Sequence, residues 1–332
     1  MHVDHGSKDA TSEEKWTVRG STNGRRILEL VFYLDGTSDT GDTIAWSELA
    51  RQTVNHFGDS PLDAIVSNVR PYEMVALNRY LTKDEYSSFA EAGDTLATWG
   101  IPMDILPFLK PELVNCLDLD DEHRLEVENA AGSDDLASGT IYLDETYLVS
   151  RAQAAYLPRF RRYSHNLADG EAHYFPRNTV YVVIAPATTT APTQIRFFQG
   201  DRRIEKGSWA ELLRRTSRKQ GLNLDATHVI FDVTEKGRDY AARRNRIHME
   251  MDGGSGTMEV MYVTADDVPD HLVNTLQSEK LVAAEHAKIS LKQGATKEVV
   301  KETTLPVQQS APVPRPKQEK INQERMFGTR IT

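Results

Sequence analysis

Fifteen arginines fall between residues 151 and 246, with only 3 lysines and 9 acidic residues among them, a net charge of +9. A guanidinium is a flat fork of donors that grips phosphate or carboxylate with two parallel hydrogen bonds, so arginine in place of lysine points to oxyanion recognition. The paired or helically spaced ones are Arg161, Arg162, Arg202, Arg203, Arg214, Arg215, Arg218, Arg243 and Arg244, the candidate contacts to nucleic acid or to a neighbouring subunit. Tyr156, Phe160, Tyr163, Tyr174, Phe175, Phe197 and Phe198 lie among them, and such rings stack on the bases of single strands. The competing use of the same arginines is neutralisation of carboxylates, within the chain or on another copy. Residues 1–150 hold 11 basic and 28 acidic side chains, net −17, and residues 247–332 are near neutral at −2. The overall −10 therefore hides an acidic first half and a basic middle, and opposite patches favour oriented association.

Asp35, Asp39 and Asp42 follow the apolar run 27–34. Three carboxylates behind a buried strand are hard oxygen donors of the kind Mg²⁺ takes. With His165 or His173 they would suit a metal-dependent hydrolase or phosphotransferase. The run lacks the second Asp, two residues after the first, that aspartate-based phosphotransferase loops need, and Asp and Gly are ordinary turn residues. The acidic run 118–122 would open a calcium loop, but His123 stands where Gly is required and Asn129 where Glu is required. Cys116 is the only cysteine, which leaves no intrachain disulfide and no cysteine zinc cluster. No HExxH and no GxxxxGK[ST] occurs, and Gly253–Gly256 lacks dinucleotide-loop spacing. No cofactor is expected.

Periodicity supplies the elements that would position these groups. Residues 27–34, 64–69, 124–128, 140–149, 178–185, 194–198 and 228–233 read as strands, and 178–185 (NTVYVVIA) is the clearest. Trp46, Leu49, Ala50, Thr53 and Phe57 recur at helical spacing. Residues 72–81 predict a helix, and Thr82 with Glu85 opens another that Gly100 would stop. A capping box of Ser208 and Glu211 opens a helix over 209–219, apolar through Trp209, Leu212 and Leu213 and basic on its other side. Residues 235–246 read as a short helix. Segments 247–251 and 258–263 read as a β-hairpin around the glycines. No internal repeat is visible.

The fold class expected is α+β, a mixed sheet with flanking helices, a C-terminal helix and flexible N- and C-terminal arms. The division expected is a flexible arm over 1–24, an acidic α/β lobe over 25–150, an Arg-rich α+β lobe over 151–265, a helix over 266–291 and a disordered tail over 292–332. Complementary charge halves, two arms and missing catalytic motifs suggest a non-enzymatic, self-assembling structural protein of coat, shell or nucleoprotein type, a viral coat among them. The alternatives are a monomeric RNA- or DNA-binding accessory protein and the metal-dependent enzyme built on Asp35, Asp39 and Asp42. Expected partners are copies of the chain and RNA; the final cluster 326–332 and the proline-containing 313–316 have the form of docking motifs for another protein, with a frayed terminus as the favoured reading. No apolar run reaches the roughly 20 residues of a membrane helix. The expected location is cytoplasmic, or the virion of a virus.

Overall fold

Leu30, Phe32 and Leu34 point into a core while Glu29, Tyr33 and Asp35 point out, and this period of two governs most of the chain. The computed structural model describes residues 1–20, 25–38, 49, 51–57, 63–82, 94–106, 114–119, 122–129, 136–148, 156–170, 172–220, 226–233 and 246–266. The first half contains β1 (His2–Asp9), β2 (Glu14–Arg19), β3 (Arg25–Ser38), β4 (Gln52–Phe57), β5 (Asp63–Val69), helix α1 (Pro71–Thr82), β6 (Asp94–Pro102), β7 (Leu117–Leu119), β8 (Arg124–Asn129) and β9 (Leu136–Leu148). The second contains β10 (Leu157–Asn166), β11 (His173–Tyr174), β12 (Thr179–Ile184), β13 (Gln194–Gln199), β14 (Arg202–Gly207), helix α2 (Trp209–Gln220), β15 (Val229–Asp232), β16 (Ile247–Asp252) and β17 (Thr257–Asp266).

These strands form three sheets, ordered β1-β9-β3-β6 with β7 beside β3, β15-β12-β17-β10-β5-β4-β8-β2, and β11-β16-β13-β14. With β7 set aside, the strands of each half can be counted from one to eight in chain order. Both halves then read 1-8-3-6 in one sheet and 2-7-4-5 in the other, with a helix between strands five and six. Eight strands wound into two facing sheets this way make a jelly roll. The chain holds two, and the repeat is one of topology with no repeat of sequence behind it. The 2-7-4-5 sheet of the first roll and the 1-8-3-6 sheet of the second are one continuous eight-stranded sheet. They join where β5 and β10 run parallel at Val66↔Phe160 and Ser67↔Arg161, while every other strand pairing among the described residues is antiparallel. The sheet is thus mixed, and the α+β class stands with more strand than the sequence suggested.

That seam explains the long apolar run of β12. Val182 and Ile184 face the second core, while Tyr181 and Val183 face the first. A sheet covered on both sides has no polar face to alternate with. The first core centres on Trp99, stacked on Phe32 at 5.5 Å, with Nε1 donating to Gln52 Oε1 at 2.8 Å. The second centres on Phe197 and Phe231, stacked at 4.0 Å.

Several expectations are corrected. Residues 2–9 and 14–19 are strands in two different sheets rather than an arm, and Trp16 is only 3% exposed. Residues 52–57 form β4 and not the end of a helix, because Gln52 and Val54 alternate inward along an antiparallel pair. Gly100 stops no helix. It lies inside β6, where a Cβ would collide with the Glu29 side chain on the neighbouring strand. The segments flanking the glycine loop do not pair as a hairpin, since β16 and β17 belong to different sheets. The loop carries the chain between them, and Gly253, Gly254 and Gly256 all have positive φ. Asp266 ends β17. The rest of the helix expected over 266–291, the tail over 292–332 and nearly all of the helix expected over 235–246 lie outside the described residues.

Candidate assembly interface

Helix α2 is set by its first turn. Ser208 Oγ accepts from Glu211 N at 3.3 Å, and Glu211 Oε2 accepts from Ser208 N at 2.9 Å, so two orphan donors are satisfied reciprocally. Leu212, Thr216 and Gln220 turn inward. Thr216 Oγ1 accepts from Ile230 N at 3.0 Å, and Gln220 Nε2 donates to Ala76 O at 3.2 Å. The exposed residues are Ala210, Glu211, Arg214, Arg215 and Arg218. Arg215 is ion-paired with Glu205. Strand β14 immediately precedes α2 and is an outer strand of its sheet, and Arg202 and Arg203 are exposed on it. A cleft of about 480 Å³ opens between α2 and β15, floored by Phe197, Leu212 and Phe231 and rimmed by Arg218 and Lys219.

Arg202, Arg203, Arg214, Arg215 and Arg218 are thus all exposed, on β14 and on the helix that follows it. The other candidates part from them. Arg162 is a correction: its side chain is 3% exposed and held inside the molecule by Glu73 at 3.2 Å and Glu259 at 3.1 Å. The register of β10 turns it under α1, where an open-face role is closed to it. Burial pushes the Glu73 carboxyl above the usual range, and the Arg162 guanidinium opposes that shift. Arg161 is half-buried, with Nη1 donating to Phe160 O at 3.4 Å. Arg243 and Arg244 lie outside the described residues.

Of the three carboxylate candidates, Asp35 is described. Asp35 is not in a loop but within β3, paired to Leu96 on one side and Thr140 on the other. Asp39 and Asp42 lie outside the described residues, among which no three His, Cys, Asp or Glu side chains are grouped to hold a metal. His173 is stacked on Tyr163 at 3.8 Å, and burial lowers its pKa to about 4, with His165 adding to the effect. His228 is buried edge-on to Tyr72 at 4.2 Å, and burial, then Arg79, lowers it to about 3.

Sequence reasoning missed the counterpart of the arginine patch. On the outer surface of the 1-8-3-6 sheet of the first roll, Tyr33 and Tyr142 are cross-strand neighbours, 40% and 39% exposed. Asp4 lies directly opposite Asp144, and Asp35 and Asp9 point the same way. Burial, with Asp144 and Glu29 adding to it, raises the Tyr33 hydroxyl pKa. The signal was the alternation of 29–35 read for its outward residues instead of its inward ones.

No protein-family model and no curated protein matches the chain. Among solved structures it is similar to the crystal structure of the STIV MCP, at 12% identity over 81% of this chain and 96% of that one, with a TM-score of 0.57. A chain in the atomic structure of Sulfolobus Turreted Icosahedral Virus matches at 12% identity over 84% and 96%, with a TM-score of 0.55. The major capsid protein P2 from Bacteriophage PM2 matches at 11% identity over 80% and 98%, with a TM-score of 0.47. At such identities the likeness is one of architecture, and the chain shares the fold of the STIV MCP over nearly the whole of that protein.

Proposed function

We propose that the chain is a non-enzymatic structural subunit that assembles with copies of itself into a coat, in the virion of a virus. The observation that carries this reading is the match of both jelly rolls, end to end, to the STIV MCP. A fold supports many functions, so surface chemistry has to agree with it. In support, Arg202, Arg203, Arg214 and Arg218 are exposed on β14 and α2 of the second roll, and carboxylates gather on the first. We assign these arginines to contact with a neighbouring subunit. Light scattering and electron microscopy of the purified chain test the proposal. Assembly that strengthens with concentration and weakens as salt rises is the expected result, and a monomer at every concentration and salt would overturn it.

The same four guanidinium groups could also grip a nucleic acid. RNA affinity falling with the logarithm of salt, at a slope of about −0.7 per phosphate engaged, would mark that second use.

A further inference from the structure

The molecule contains one complete junction between jelly rolls and the two unused halves of another. In the complete one, the helix of the first roll lies on the outward face of the second roll's 1-8-3-6 sheet. Tyr80 of α1 meets Tyr181 of β12 edge-on at 6.2 Å and donates from Oη to Asp232 Oδ2 at 3.0 Å. Glu73 of α1 holds Arg162 of β10. Beside this contact, strand five of the first roll pairs with strand one of the second. By the repeat, α2 corresponds to α1, β14 to β5, β1 to β10, and the β1-β9-β3-β6 sheet to the one that α1 covers. Among the described residues, α2 and β14 seat on no such sheet face, and the first roll's sheet carries no such helix.

Resting on the self-assembly reading above, we infer that α2 and β14 of one copy dock on the outward face of the β1-β9-β3-β6 sheet of a second copy. The charges agree. Within the chain the helix brings the carboxylate and the sheet the guanidinium, whereas between copies the helix brings Arg214 and Arg218 to a sheet bearing Asp35 and Asp144. Like charges directly opposite on neighbouring strands are destabilising, and Asp4 faces Asp144 across β1 and β9. A guanidinium placed over that pair relieves the repulsion. Tyr33 and Tyr142 supply the flat apolar contact that Tyr181 supplies inside the molecule, and arginine stacks well on such rings. The same signs keep α2 of one copy from docking on α2 of another. Because the two surfaces differ, the contact is head-to-tail, so copies add in one direction and close into a ring if the rotation permits.

Charge reversal in the full chain tests this. Arg214→Glu with Arg218→Glu, and separately Asp35→Lys with Asp144→Lys, should each raise the half-assembly concentration about tenfold or more, and joining all four should restore it, since the attraction is re-formed with signs exchanged. Cys116 is buried, so a mixture of chains carrying Tyr142→Cys or Arg218→Cys gives a second, charge-independent readout, a disulfide between copies on oxidation. Formation of the mixed disulfide is expected. If the wild-type chain assembles but the reversed pairs assemble equally well, or the fourfold variant is no better than either pair and no mixed disulfide forms, the docking is wrong and self-assembly stands. A wild-type chain that never leaves the monomer removes both.

Discussion

Arg162 shows how much a single position decides. One residue before it on β10, Arg161 is half-buried, yet Arg162 sits between Glu73 and Glu259 with its side chain almost fully buried. Removing one partner of a buried ion set leaves the others uncompensated, so Arg162→Ala is expected to cost about 3–5 kcal/mol. Arg202→Ala and Arg218→Ala should each stay within about 0.5 kcal/mol, because exposed side chains away from such features tolerate truncation. Urea unfolding of the three variants distinguishes an internal staple from a surface charge. The histidines set a second expectation. Folded His173 titrates near 4 and His228 near 3, below their ordinary 6.5. Between pH 6.5 and those values the unfolded chain binds more protons than the folded one, so the stability these neutral rings contribute is present above 6.5 and lost as pH falls through the window. Thermal midpoints should drop on acidification, and His173→Phe, which keeps a stacked ring without the basic nitrogen, should flatten the slope.

At the scale of elements, Trp16 anchors β2 with its ring 6.3 Å from Phe32, edge-on. Trp16→Ala is expected to cost about 3–5 kcal/mol in urea unfolding, as for a large aromatic removed from a core. A tryptophan on a flexible arm would cost nothing measurable, so the result separates the two descriptions of residues 1–20. The same residues show why legibility in the sequence was uneven. α2 was readable because cap, apolar stripe and basic stripe agree along 208–220, and β12 because continuous burial leaves a continuous apolar run. β1 was not, because HVDHGSKD buries little on either side and is held by its ladder to β9 instead of by side chains. The helical stripe from Trp46 to Phe57 was a coincidence of spacing over a segment whose final six residues are a strand. The hairpin around Gly253 failed for a related reason. A turn sequence specifies a reversal of the chain but not which sheet the next strand will join.

For the whole molecule, the arginine excess was legible and its placement was not. Sequence distance says nothing of which strand neighbours which, so Arg162 and Arg202 look alike until the register is known. The double winding was hidden for the same reason, since a period of two places residues inside or outside a sheet and leaves strand order open. Once the order is known, the charge asymmetry between halves acquires a geometry: one roll offers a carboxylate-lined sheet and the other a guanidinium-lined helix, on surfaces that cannot both be used within a single copy. Assembly that fades with salt is the expectation at this scale, and scattering in a salt series measures it.

The ladder that holds β1 and β2 has a further consequence for how the polypeptide is made. His2 pairs with Thr146 and Glu14 with Asn129, so β1 and β2 have no hydrogen-bonding strand until more than a hundred later residues have been made. Contacts this distant along a chain form slowly. Synthesis therefore runs for most of the first roll with these two strands unpaired.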